Sequence, residues 1–151
     1  YIPEDTQGFG DLFVHKDSIE YKVLKPFEKV CIEGVEIVAV PLEHSKPTNG
    51  YVLFTCKSSV AYLTDCASIP KDSLVFLRSK SIEHLFLDAC YTPEYASKKH
   101  LNWESAEAYI EHIKAKNGYL IHASCKTLLP LHVKKIRLKY PYIMQGFSVE
   151  I

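Results

Sequence analysis

Short apolar runs separated by polar turns make up most of the chain between residues 30 and 90. Residues 35–40 show little alternation between polar and apolar positions, which predicts a strand buried on both faces. The short polar link at residues 56–58 predicts a hairpin. Similar apolar runs predict further strands at residues 30–32, 51–55, 59–63, 85–87, 119–121 and 143–151.

The helical pattern is clearest over residues 103–116. Its apolar positions follow the spacing of one helix face, at Trp103, Ala106, Ile110 and Ile113. Asn102 is placed to cap this helix, and Gly118 is placed to end it. Residues 71–80 and 128–139 predict two more helices, the second with basic residues on its outer face. Strands come first and then alternate with helices, so we expect a mixed α/β (α+β) fold.

Composition describes an ordinary globular domain without a strong charge. The 151 residues are 47% hydrophobic and 24% charged, and 18 basic residues balance 18 acidic ones. A net charge of zero provides no overall positive potential to attract the phosphates of nucleic acid, which argues against a nucleic-acid partner. No apolar run approaches the roughly 20 residues of a membrane helix, so we expect no membrane partner.

Five cysteines are spread widely along the chain, at Cys31, Cys56, Cys66, Cys90 and Cys125. Their number is odd and no Cys-x-x-Cys occurs, which argues against a disulfide framework or a self-contained zinc site. We therefore expect reduced thiols in a cytoplasmic protein. Each cysteine alone is expected to be a small buried residue.

Three candidate metal ligands follow predicted strands: His44, Asp65 and His122. Paired divalent metals that cleave phosphate esters use imidazole and carboxylate ligands. Strand ends suit such ligands, because the sheet fixes the backbone while the loops remain open to substrate. For each residue taken alone, a hydrogen-bonded surface histidine, or an aspartate that caps a turn, is the more common explanation. Spacing alone leaves both interpretations open.

Four segments, at residues 44–51, 60–70, 85–102 and 119–124, together resemble the metallo-β-lactamase superfamily, and within it the PhnP-like phosphoribosyl cyclic phosphodiesterases. Residues 44–51 (HSKPTNGY) resemble a metal-ligand loop, and residues 60–70 (VAYLTDCASIP) resemble the strand that ends in a bridging aspartate. Residues 85–102 resemble the segment with a noncoordinating histidine, and residues 119–124 (YLIHAS) the strand before the last ligating histidine. The resemblance implies the C-terminal part of an αββα sandwich.

The resemblance also implies a role for each site residue. His44 and His122 would each ligate one of two divalent metal ions, manganese or zinc, and Asp65 would bridge them. His100 would be the general acid that protonates the leaving oxygen, and Asp88 would orient it. Asp88 as a simple structural cap remains an alternative. The implied substrate is a small phosphorylated sugar, such as a phosphoribosyl 1,2-cyclic phosphate.

One departure from the family pattern is large. The superfamily motif His-x-His-x-Asp-His is absent from residues 1–151. His15 has no second histidine two residues away, and no His-x-His occurs anywhere in the sequence. We therefore expect a single partial domain over residues 1–151 that lacks its N-terminal half. We expect such a chain to bind metal weakly or not at all, and to be inactive alone. Cys125 would be a structural zinc ligand only if cysteines from the missing half joined it.

Two other functions fit the same resemblance. One is a tRNA 3′-processing phosphodiesterase, against which the neutral charge argues. The other is a non-catalytic remnant or interaction module. Half a sandwich would expose apolar strands, so we expect either a homodimer or the missing N-terminal half to cover them.

Overall fold

A computed structural model describes residues 23–95, 97–143 and 146–150. Within these residues, six strands form one sheet in the order β1-β2-β3-β4-β5-β6, accompanied by three helices. The strands are β1 (Lys29–Ile32), β2 (Val35–Leu42), β3 (Thr48–Phe54), β4 (Ser59–Leu63), β5 (His84–Asp88) and β6 (Asn117–Ile121). The helices are α1 (Lys71–Ser79), α2 (Trp103–Ile113) and α3 (Cys125–Lys134).

The sheet changes from antiparallel to parallel at β4. Strands β1 to β4 pair antiparallel, and β4, β5 and β6 pair parallel. The parallel pairs require crossover connections, which α1 and α2 provide. Since β2 and β4 are both antiparallel to β3, they run in the same direction. The C-terminal ends of β2, β4, β5 and β6 therefore lie along one edge of the sheet.

One face of the sheet packs against α1 and α2. Helix α2 buries all four positions of its apolar face, as predicted, and Asn102 caps it by accepting a hydrogen bond from the Ser105 backbone N–H at 2.9 Å. In α1, Leu77 is fully buried. Strand β2 buries three consecutive residues, Val38–Val40, which confirms that its centre is covered on both faces.

The opposite face of the sheet carries a row of aromatic side chains. Tyr51 is in register with Tyr62, Tyr62 with Phe86, and Phe86 with Tyr119. Side chains alternate along a strand, so these rings point away from the helices. Phe147 packs near Tyr119, with ring centroids 5.0 Å apart, but Tyr51 and Tyr62 remain 42% and 47% exposed. We call the four-residue aromatic row the open face.

Two predicted boundaries near α2 and β6 are wrong. Helix α2 ends at Ile113, and Lys114 closes it in a left-handed conformation with φ 64°. Gly118 does not end the helix; it lies inside β6. A Cβ atom at Gly118 would come within 2.5 Å of Ile110 Cγ2, so the glycine permits close packing of α2 on the sheet.

The C-terminal predictions also need correction. Helix α3 spans Cys125–Lys134 rather than residues 128–139, because the backbone N–H groups of Thr127 and Leu128 donate to Ser124 O and start it earlier. The strand predicted at residues 143–151 is not found among residues 143 and 146–150. Tyr142, the residue before this segment, forms an isolated β-bridge with Leu120 of β6.

The cysteine prediction holds for only part of the set. Cys66 and Cys90 are buried, whereas Cys31, Cys56 and Cys125 are exposed, so the prediction of burial is wrong for these three. The three exposed residues lie on an edge strand, in a turn and at a helix N terminus, where the sheet and helices cover little surface. None of the described helices is long and apolar enough to span a membrane.

Candidate metal centre

The edge at which four strands end brings the predicted site residues together. Asp88 is the last residue of β5, and His122 follows β6 directly. Asp65 and His44 each lie two residues beyond a strand end, after β4 and β2. His100 comes from the loop between β5 and α2. The topology therefore explains why residues distant in sequence meet at one place.

Asp88 is the buried centre of this arrangement, with 0% exposure. Its Oδ2 accepts a hydrogen bond from the Cys66 backbone N–H at 3.0 Å, and its Oδ1 accepts one from the Cys90 backbone N–H at 3.1 Å. The same Oδ2 lies 2.7 Å from Nδ1 of His100. Both carboxylate oxygens are thus already occupied by donors from the protein.

His100 is held against Asp88 through one ring nitrogen. Because Nδ1 faces the carboxylate, Nε2 is the nitrogen left for other contacts. The His100 ring meets the His122 ring edge-on, with centroids 4.8 Å apart, and the His44 ring at 5.1 Å. Three histidines therefore converge at the sheet edge.

Asp65 and His122 face each other across two strand ends. Nδ1 of His122 lies 3.7 Å from Asp65 Oδ1, 3.6 Å from Asp88 Oδ2 and 3.2 Å from Thr64 Oγ1. Both residues adopt the left-handed backbone region, with φ 53° for Asp65 and φ 65° for His122. Such conformations cost on the order of 1–3 kcal/mol for residues other than glycine and concentrate at functional sites. The backbone is thus strained at both candidate ligands.

His44 lies at the rim of the group. Its Nδ1 is 2.7 Å from the carbonyl oxygen of Lys99, to which it donates, so Nε2 is available. Metal-binding histidines commonly donate their second ring nitrogen to a carbonyl in this way. The Lys99 contact orients the ring, and it had no signal in the sequence because a backbone group makes it.

Potential ligand atoms of four residues lie within 4.8 Å of one another: Asp65, Asp88, His100 and His122. This set combines imidazole with carboxylate, which are the donors that zinc and manganese accept in proteins. The residues present therefore fit a divalent metal. His44 is outside the set, whereas Asp88 and His100, predicted from sequence as catalytic residues, are inside it.

Cysteines near the site are held as neutral thiols. Burial, together with the negative charges of Asp88 and Glu43, raises the pKa of Cys66 to about 12. Burial and Asp88 also raise the pKa of Cys90. Neither thiol is poised to act as a thiolate ligand. Cys125 is exposed and belongs to no group of three potential ligands within the described residues, so its zinc role stays a prediction.

Thr64 is a site residue that the sequence interpretation did not identify. Its hydroxyl oxygen lies 3.2 Å from Nδ1 of His122. In the sequence, only its position next to Asp65 indicated that it could belong to the site. The backbone N–H groups that hold Asp88 were equally invisible, since any residue supplies the same donor.

Comparison with known proteins identifies relatives of this fold. A family model described as a β-lactamase superfamily domain matches residues 3–123. The crystal structure of a diphosphatase from the PhnP family superposes with a TM-score of 0.68 and 27% identity, covering 83% of this chain and 47% of that one. A search of curated proteins found no match.

Two further solved structures share the fold. The metallo-β-lactamase fold protein YhfI from Bacillus subtilis gives a TM-score of 0.73 at 16% identity, covering 97% of this chain and 62% of its own. The short form of human tRNase Z gives a TM-score of 0.63 at 19% identity, covering 81% of this chain and 45% of its own. The chain therefore spans about half the length of the solved structures that it matches.

Proposed function

The chain belongs to the β-lactamase superfamily, and from that premise we propose that it forms part of a metal-dependent phosphodiesterase. One observation carries the proposal: carboxylate and imidazole groups from three strand ends and one loop converge within 4.8 Å. The proposed substrate is a small cyclic phosphate ester, such as a phosphoribosyl 1,2-cyclic phosphate; the similar protein of the PhnP family, a diphosphatase, supports phosphate-ester hydrolysis in general.

His44, Asp65 and His122 would hold the metal ions, manganese or zinc. The Asp65 side chain is 46% exposed and can coordinate a metal ion, whereas each Asp88 oxygen already accepts a backbone hydrogen bond. This difference favours Asp65 as the ligand and Asp88 as the residue that orients His100. When bound, divalent metal ions supply Lewis acidity that polarises the phosphate ester and activates a water molecule.

His100 would provide the proton for the leaving group. In this role Nδ1 would donate its proton to Asp88 Oδ2, which orients the ring so that Nε2 can present a proton to the substrate. Transfer of that proton to the ribose oxygen, as the P–O bond breaks, leaves a neutral hydroxyl. The partly buried position of the ring limits competition from water.

We propose that the open face packs against a second apolar sheet. In the proposed assembly, that sheet belongs to the N-terminal half of the domain and carries the His-x-His-x-Asp-His ligands, or else a second copy covers the face. Exposed Tyr51 and Tyr62 support this proposal, because packed sheets bury such rings in a core about 10 Å thick. A cytoplasmic location is also proposed, because exposed thiols such as Cys31 persist in reducing compartments.

Reconstitution tests this function. The 151-residue chain is assayed with manganese against a phosphoribosyl 1,2-cyclic phosphate and a tRNA precursor, alone and with the N-terminal half of the PhnP-family diphosphatase. We expect turnover of the cyclic phosphate only with the added half, and its loss in His100→Ala. Turnover of the tRNA precursor but not of the cyclic phosphate would favour a tRNA 3′-processing enzyme. No turnover of either substrate in any mixture would favour a non-catalytic module.

A further inference from the structure

A basic groove lies at the opposite end of the sheet from the candidate metal centre. Glu83 and Lys116, the residues directly before β5 and β6, line this groove, whereas the other ends of the same strands lead into the centre. Each strand has five residues, so the groove and the centre are separated by a distance on the order of 15 Å. The proposed chemistry does not use the groove.

The groove is concave and its lining is mostly charged. Its volume is about 380 Å³, which lies within the range of small-molecule sites. The polar lining residues are Arg78, Lys80, Lys114, Lys116, Glu83 and Ser81. Four basic side chains thus surround one acidic side chain, although the whole chain has a net charge of zero.

The acidic residue of the groove is already paired. Glu83 Oε1 accepts a hydrogen bond from Lys116 Nζ at 2.7 Å, and Glu83 Oε2 accepts one from Ser58 Oγ at 3.2 Å. An ammonium group has three N–H donors, so Lys116 retains two for a ligand. Among the described residues, no carboxylate forms a salt bridge with the other three basic side chains, which are Arg78, Lys80 and Lys114.

Helix dipoles explain only part of this cluster. Arg78 lies in the last turn of α1 and Lys114 caps α2, where cations complement the free carbonyl groups. This effect neither brings the two helix ends together around one groove nor adds Lys116 beyond α2. The Lys80 ammonium lies 5.1 Å from the centroid of the Phe76 ring, which positions the side chain without cancelling its charge.

We propose that this groove binds an oligophosphate, a short chain of two or three linked phosphate groups. Such a chain carries several negative charges, which complement the three basic side chains that lack a carboxylate partner. The planar Arg78 guanidinium suits bidentate contact with phosphate oxygens, and the lysines add point charges. The limited volume favours a short phosphate chain over a larger polyanion. The site is separate from the metal centre and does not depend on the proposed function.

Calorimetry on the full 151-residue chain tests the site. Tripolyphosphate, ATP and orthophosphate are each titrated in the presence of EDTA, which removes metal ions from the protein and from the ligands. We expect one equivalent of tripolyphosphate to bind, and ATP to bind with similar affinity, because the groove would recognise the phosphate chain. Orthophosphate should bind at least about tenfold more weakly, because it can contact fewer cations at once.

Paired charge-neutralising variants assign the binding to the groove. Arg78→Gln with Lys114→Gln is expected to weaken tripolyphosphate binding at least about tenfold. The matched control is Lys134→Gln with Lys135→Gln, which removes the same kind of helix-end charges from α3 and should change the affinity less than about twofold. All four residues are exposed, so neither pair should prevent folding.

Several results would overturn the groove as an oligophosphate site. These are no binding of tripolyphosphate, equal affinity for orthophosphate, and equal weakening by the two variant pairs. Loss of binding in His122→Ala would place the ligand at the candidate centre and overturn the site as well. None of these results bears on the proposed function, because EDTA removes the metal ions on which that function depends.

Discussion

Asp88 Oδ2 and His100 Nδ1 lie 2.7 Å apart, and the aspartate of this pair is fully buried. The same carboxylate accepts the backbone N–H groups of Cys66 and Cys90, which follow two neighbouring strands. One side chain therefore joins the ends of β4 and β5 and also orients a histidine. Stability and function are expected to depend on it together.

Replacing Asp88 tests its structural part. Asp88→Asn is expected to lower the free energy of unfolding by about 1–3 kcal/mol, because an NH2 group would face a donor N–H in the buried site. Urea denaturation measures the loss. Asp65→Asn is the matched control, since its side chain is 46% exposed, and it should change stability by less than about 0.5 kcal/mol. Equal losses in the two variants would contradict the central position of Asp88.

Gly50 permits close packing beside the His44 loop. A Cβ atom there would come within 2.5 Å of Leu63 Cδ2 and 3.0 Å of the Tyr62 carbonyl oxygen. Gly50→Ala is therefore expected to destabilise the fold by about 1–3 kcal/mol, the usual cost of overpacking. Thermal denaturation against Ser45→Ala, at an exposed loop position, checks the effect. A Gly50→Ala variant as stable as its control would show that the strand and loop adjust.

The thiols should divide into two classes in alkylation. Cys31, Cys56 and Cys125 are exposed and should react with iodoacetamide in the native protein at pH 8. Cys66 should not react, because it is buried and its pKa, raised to about 12, keeps the thiol protonated until the pH approaches that value. Mass spectrometry before and after urea treatment measures the difference. Native labelling of Cys66 at the rate of Cys31 would contradict the structure of the site.

Association through the open face is measurable by sedimentation. The chain alone is expected to form concentration-dependent dimers, and Tyr51→Ser with Tyr62→Ser should shift it to monomer without unfolding it. Val75→Ser is the control, because Val75 is an exposed apolar residue on α1. A wild-type chain that is monomeric at every concentration would exclude self-association and leave a separately supplied N-terminal half as the proposed partner.

Much of the fold was predictable from local pattern. Strand β4 and the start of α1 follow directly from apolar runs and polar breaks, and the family match confirms the metallo-β-lactamase fold that the residues around Asp65 and His122 indicate. Gly118 was misassigned because a glycine required by long-range packing looks the same in sequence as one that ends a helix.

The sequence predicted which side chains form the site, but not the backbone contacts that position them. The sequence indicated which residues follow strands, and the parallel arrangement of β4, β5 and β6 then brings their ends together. It could not show that backbone donors occupy Asp88, nor that the Lys99 carbonyl orients His44. These contacts depend on the three-dimensional course of the loops.

Manganese binding tests the central claim most directly. The 151-residue chain is titrated with manganese(II) and free metal is followed by electron paramagnetic resonance, in parallel with His122→Ala and with His132→Ala, an exposed histidine of α3. We predict measurable but weak binding by the wild type and by His132→Ala, and loss of binding in His122→Ala, because His122 is one of only three proposed ligands. Binding that is unchanged in His122→Ala, or lost equally in His132→Ala, would contradict a metal centre at this sheet edge.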